Sequence, residues 1–265
     1  MKQNTLIDYT LHLADNALIL GHRNSEWCGH GPVLEQDIAI TNISLDLIGQ
    51  ARNFYQYGAQ LINASQKTKG SKTPSPGGEG VGGEVSEDTL AYLRDPHEFK
   101  NCLLVEQPNG DWAVTILRQF LFSNYQYLSY RQLQNSKDEQ LAAIAVKSLK
   151  EVTYHLRWSS EWVIRLGDGT EESRRRILAA IDNLWQYTGE LFETANYEKA
   201  AGGAISSLKK DWTKKVSEIF EEATLPVPGE TNQQTGGKEG RHSEHLDRIL
   251  SEMQYLQRTY PNSEW

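Results

Sequence analysis

Cysteine is nearly missing from this chain. Cys28 and Cys102 are the only two in 265 residues, and neither belongs to a C-x-x-C or a Cys/His zinc spacing. That excludes a disulfide framework and a structural zinc module, and it makes a reducing cytoplasm the expected compartment. Positive charge is also short: 27 Lys and Arg against 35 Asp and Glu leave a formal net charge of −8. Neutralising nucleic-acid phosphates or anionic lipid needs the opposite sign, so no nucleic acid and no membrane surface is expected as a partner. The opening leucines are interrupted by Asp8, His12 and Asp15, which a secretory apolar core does not tolerate, so the chain reads as neither secreted nor membrane-spanning. Strand-like alternation is absent as well.

What the chain has in abundance is helical periodicity. Leu6, Leu13, Ala17 and Leu20 mark a first amphipathic helix over Leu6–Leu20, with Gly21 as its expected terminator. A second helix is predicted from Leu34 to about Ile62. Ile40, Ile43, Leu47, Ala51, Phe54 and Leu61 form one apolar face, while Leu34, Ile38, Leu45, Ile48 and Ala59 form another. A helix apolar on two sides belongs at the centre of a fold or at an interface.

Residues 64–86 break the pattern, with six glycines, two prolines and almost nothing apolar to offset the entropy of ordering. They read as a flexible surface insertion. Gly78, Gly80 and Gly83 match G-x-G-x-x-G there, but with no preceding strand and no following amphipathic helix the dinucleotide-binding context is missing. Beyond it, a short helix is expected near Asp88–Leu93, then long ones over Trp112–Gln134, Glu139–Leu166, Thr170–Phe192 and Ile205–Glu222. A Pro/Gly connection from 225 to 242 follows, and a last helix capped by Ser243 runs to about Arg258. The fold class is therefore all-α, a single helical domain spanning 1–265 with additional C-terminal helices, and its long helices with polar residues set into apolar stripes resemble a ferritin-like bundle.

Bundles of this kind can hold two metal ions between their helices. Two helices then give one carboxylate each and two give a Glu-x-x-His pair, whose spacing puts both groups on one face. Asp15 in helix one and Asp46 in helix two are the acidic residues placed to point inward. Three residues after Asp46 stands Gly49, which ligates nothing, and Asn124 of the Leu117–Leu121–Asn124–Leu128 stripe offers an amide where a carboxylate is needed. In KEVTYHLRW, Glu151 is followed at three residues by Tyr154, and His155 is preceded at three by Val152, so neither register gives the pair. Glu151 and His155 share a face at four residues, which leaves a single altered metal site open. If Asp46 and Glu151 met without metal, their repulsion would be about 4 kcal/mol at ~4 Å and an effective dielectric near ~20. Arg131 is the candidate compensating cation, with His155 or carboxyl protonation as other routes.

The segments GHRNSEWCGHGPVLEQDIAITNISLDLIGQARNFYQYG, LLVEQPNGDW, KEVTYHLRWS, TGGKEGRHSEHL and EMQYLQR together resemble the PaaC family, the C subunits of bacterial phenylacetyl-CoA epoxidase. The likeness runs over nearly the whole chain, with 64–86 as its visible departure. It implies a ferritin-like structural subunit with no catalytic residue and no metal or cofactor of its own. Its partner would be a homologous di-iron catalytic subunit, with a small bridging subunit and a reductase carrying flavin and an iron–sulfur cluster, in a complex that uses O2 and NADPH to epoxidise phenylacetyl-CoA. Two other classes stay open: an oxygenase subunit with its own altered metal site, and a free-standing helical binding module.

Overall fold

The computed structural model describes residues 3–69, 84–200, 205–229, 231–261 and 263, and every regular element among them is helical. The helices are α1 (Gln3–Ser25), α2 (Leu34–Lys69), α3 (Glu87–Tyr92), α4 (Leu103–Glu106), α5 (Trp112–Leu133), α6 (Glu139–Gly167), α7 (Glu171–Leu184), α8 (Asn196–Ala200), α9 (Ile205–Glu222), α10 (Glu244–Met253) and α11 (Tyr255–Thr259). Their starts follow local chemistry. Asp111 accepts the N–H of Val114, Asp138 that of Leu141 and Thr170 that of Ser173, each satisfying a first-turn donor that has no partner inside its helix.

Four long helices make a ferritin-like bundle. α1 packs along α2, α5 along α6, and α2 also meets α6. α1 faces α5 through the Asn24 amide, which donates to Gln119 at 2.6 Å, and in the turn after α1 the Trp27 indole donates to Thr115 at 2.9 Å. α7 and α9 cover α5 and α6, while α8 and α10 lie against α1. The buried apolar side chains run as one continuous cluster from Tyr9 to Leu250. No helix among the described residues is long and apolar enough to cross a membrane.

Several boundaries differ from the sequence expectation. α1 does not stop at Gly21 but runs on to Ser25. A Cβ at residue 21 would sit 3.1 Å from Ile48 Cγ1 and 3.3 Å from Leu47 Cβ, so this glycine lets α2 approach closely instead of ending a helix. Gly49, on the exposed side of α2, has nothing within 4 Å of its missing Cβ. Two substitutions therefore have opposite expected signs in urea denaturation of the isolated chain. Gly21→Val overpacks the α1–α2 seam and lowers stability by about 1–3 kcal/mol, whereas Gly49→Ala raises it by roughly 0.5–1 kcal/mol through helix propensity alone.

Residues 64–69, expected in the insertion, continue α2. Residues 70–83, with the Gly78, Gly80 and Gly83 pattern, lie outside the described residues. The helix expected over Thr170–Phe192 ends at Leu184, and two 3-10 turns follow at Trp185–Tyr187 and Gly189–Phe192. There the Gly189 N–H is taken by the Gln233 side chain, and the Glu190 carboxylate turns to main-chain N–H groups of Leu103 and Gly236. Tertiary partners thus outcompete helix continuation. The C-terminal helix is interrupted at Gln254, whose amide donates to the Arg94 carbonyl at 2.9 Å.

Candidate functional site

Asp15 is fully buried on α1, and protein donors occupy its carboxylate. The Tyr55 hydroxyl of α2 donates to one oxygen at 2.6 Å and the Lys100 N–H to the other at 2.8 Å, while the Arg94 guanidinium bonds both. Arg94 also donates to the carbonyls of Leu90 and Glu98, and its guanidinium carbon lies 4.1 Å from the centre of the Phe99 ring. Burial alone would weaken the hold of Arg94 on its proton, but the charge of Asp15 and its contact with Tyr55 outweigh this and raise it. The carboxylate faces segment 94–100, so its role is to pin that segment to α1 and α2.

Between α2, α5 and α6 runs a second polar layer. Gln50 donates to Glu151 at 2.9 Å and accepts from Gln126 at 3.1 Å and from the Tyr130 hydroxyl at 3.4 Å. One turn away, Asp46 meets His155 Nε2 at 3.0 Å. His155 is fully buried while Asp46 is 37% exposed, so the pair spans the edge of the bundle. Partial burial raises the proton affinity of Glu151; the Gln50 bond opposes that and the nearby Asp46 charge adds to it. The charge of Asp46 reaches Glu151, and each acid has its own hydrogen-bond partner, Gln50 for Glu151 and His155 for Asp46.

The remaining expected positions do not converge. Gly49 is exposed and Tyr154 is 44% exposed. The Asn124 amide turns away from this layer and donates to the Trp212 carbonyl of α9 at 3.0 Å. Arg131 is a correction. It is exposed on the last turn of α5, with its guanidinium 5.7 Å from the Tyr127 ring centre, and it compensates neither acid. Residue 131 falls on the outer side of α5 because the inward polar row is Gln119, Ser123, Gln126 and Tyr130.

Comparison with known proteins settles the lineage of this arrangement. The phenylacetic acid catabolic protein family model matches residues 1–265. The chain belongs to that family. It is also 46% identical, over 99% of its own length and 100% of the relative's, to the C subunit of the 1,2-phenylacetyl-CoA epoxidase of Escherichia coli (strain K12).

For a phenylacetic acid catabolic protein built as a ferritin-like bundle, the question is whether the interior fits a pair of metal ions. Two such ions need about four carboxylates and two imidazoles facing inward. Here the inward positions carry Gln50, Gln119, Ser123, Gln126 and Tyr130, which bring no negative charge; of the acids, Asp15 is taken by Arg94, Glu151 bonds Gln50 and the half-exposed Asp46 bonds the imidazole of His155. Among the described residues no three His, Cys, Asp or Glu side chains are grouped to hold a metal. The residues present do not fit a di-metal centre.

Sequence reading missed Gln50, Gln126 and Arg94. Gln126 belongs to a row with Gln119 at helical spacing on α5, but two residues out of phase with the Leu117–Asn124 stripe, and Gln50 stands apart on α2. Arg94 sits outside the four long helices and carries no local signal. Around the α1–α2 connection, His22 lies within α1, Cys28 is exposed and the Trp27 indole donates to Thr115. Arg175 and Arg176 pair with Glu172 on the surface of α7.

Proposed function

We propose that the chain is a non-catalytic structural subunit of a 1,2-phenylacetyl-CoA epoxidase, a single ferritin-like domain that stabilises and positions a di-iron catalytic subunit. The observation that carries this reading is that the layer around Gln50 is built mainly from neutral amides and a phenol, with Gln50 bonding Glu151, Gln126 and Tyr130, while Gln126 Oε1 and His155 Nδ1 stay buried without a partner. Such a layer joins α2, α5 and α6 through hydrogen bonds between side chains. The name of the similar Escherichia coli protein supports assignment to the epoxidase complex.

A surface feature supports the partner role. Leu34, Ile38 and Leu45 on α2 are 72%, 52% and 62% exposed, and only Ala59 of that second apolar set is buried, so of the two places open to a helix apolar on two sides, fold centre or interface, this face suits an interface. Tyr154 on α6, also exposed, precedes the His155 that bonds Asp46 of α2. An apolar helix face of this kind is what an obligate interface covers.

Iron analysis tests the reading directly. Expressed alone in iron-rich medium, the protein is expected to retain iron far below one atom per chain, and to bind the catalytic subunit stoichiometrically in size-exclusion chromatography. One iron per chain would revive the single altered site at Asp46, Glu151 and His155, and two would make the chain an oxygenase subunit in its own right. Failure to bind the catalytic subunit would favour a free-standing module.

A further inference from the structure

The Pro/Gly connection 225–242 carries the segment TGGKEGRH, and its second half is built into the protein by buried charges. Lys238 sits with its ammonium 3.1 Å and 3.2 Å from the two oxygens of Glu198, and it also donates to the carbonyls of Leu191 and Glu193. Glu190 receives the N–H groups of Gly236 and Lys238. Gly240 turns the chain at φ +81°, and a Cβ there would collide with the His97 carbonyl oxygen, so the strap presses directly on the backbone of segment 95–99.

The distal end of the strap is held differently. His242 has Nδ1 2.8 Å from Glu106 Oε2 and Nε2 3.0 Å from the carbonyl oxygen of Phe99. Both of those partners are acceptors. Glu106 is fully buried and already accepts the Ser243 N–H at 2.7 Å and the Asn101 amide at 2.9 Å, so it stands as a carboxylate surrounded by donors. A neutral imidazole has one N–H and one lone pair, and it would have to aim that lone pair at an oxygen. Only the imidazolium, with two N–H donors, satisfies both contacts.

We propose that His242 is a proton-controlled latch: doubly protonated, it pins Gly240–Leu246 onto α4 and segment 95–99, and loss of one proton opens that stretch while Lys238 keeps the strap anchored. Opening uncovers Glu106 and Asn101 and loosens the start of α10. The charged groups around the imidazole agree with this. Glu106 of α4 is in contact, and Asp15 of α1 adds negative potential from farther off. Arg23 of α1 lies on the same side but directs its guanidinium to the main-chain carbonyls of Glu106 and His245 and to Glu26. Tyr187, from the 3-10 turn, also feels the charge of Glu106. Arg241 is drawn outward to Glu239, and Glu190 and Lys238 belong to the other anchor. Burial lowers the proton affinity of His242, but the hydrogen bond to Glu106 and the charge of that carboxylate raise it by more, with a net upward shift. The sign follows: the latch is fully closed below the ordinary histidine pKa of about 6.5 and is lost as pH rises through the raised value.

The test uses the full chain with 15N-labelled histidine, together with amide hydrogen exchange read as protection factors relative to α5. Two protonated nitrogens on His242 at about pH 6, and a protection of Gly240–Leu246 that falls about tenfold or more by about pH 9 in step with the His242 titration, are expected. His242→Lys keeps a cation opposite Glu106 throughout that range and is expected to abolish the pH dependence. A singly protonated His242 at the acid end, protection that stays constant through its titration, or the same fall in His242→Lys would overturn the latch. Should the lysine variant not fold, the nitrogen shifts and exchange of the unaltered protein decide the matter.

Discussion

Arg94→Met lowers the unfolding free energy of the isolated chain by about 3–5 kcal/mol, among the largest effects expected of any single substitution in the described structure. The reason lies in what it leaves behind. Asp15 is fully buried, and its oxygens meet Arg94, Tyr55 and the Lys100 N–H. Removing the cation strands a carboxylate out of water with only neutral donors, and the protein must tolerate that charge, protonate it or open. The Leu90 and Glu98 carbonyls lose their donors as well. The double variant Asp15→Asn, Arg94→Met carries no stranded charge and is expected to recover about half of the loss, because an amide still accepts one of the two remaining hydrogen bonds. Urea denaturation of the four proteins of that cycle gives the answer. A single-variant loss below about 1 kcal/mol would mean that water reaches Asp15 and that segment 94–100 is not held by it.

Helix existence was legible because burial of one face imposes a period of 3.6, and the caps Thr170 and Ser243 are local devices read from neighbouring residues; Asp111 and Asp138, not read as caps, act in the same way. Gly21 was misread because a terminating glycine and a close-packing glycine look identical in a single sequence; the difference lies in Leu47 and Ile48 of another helix. For the same reason the end of α7 was misplaced, since the groups that draw the chain into 3-10 turns come from Gln233, Leu103 and Gly236.

The site divides along the same line. That Gly49 and Tyr154 supply no imidazole could be read from the letters, because a missing side chain is missing in any fold. Where charge goes instead could not. Arg131 and Arg94 are both arginines near acidic residues in some plausible packing, and only the path of segment 94–100 over α1 decides between them. Nor could the letters tell that TGGKEGRH is a docked strap: glycines that permit contact with the His97 carbonyl resemble glycines of a free linker until the contact is seen.

Ile38→Glu combined with Leu45→Glu weakens binding of the catalytic subunit by about a hundredfold or more, some ~3 kcal/mol, while shifting the stability of the isolated chain by less than about 0.5 kcal/mol. The two halves of that expectation rest on one fact, the exposure of both side chains in the isolated chain. A residue in water makes little difference to folding when it becomes charged. Covered by a partner, each apolar side chain contributes roughly 1.5–3 kcal/mol when fully buried, and a carboxylate in its place brings a desolvation penalty with no cation to meet it. Val227→Glu, another exposed apolar position but on the connection after α9, serves as the control and leaves affinity unchanged. Titration calorimetry with the catalytic subunit distinguishes the cases. Tight binding by the double glutamate variant would move the interface off the α2 face while leaving the structural role intact; loss of binding with unchanged folding would fix that face as the site where this subunit meets its partner.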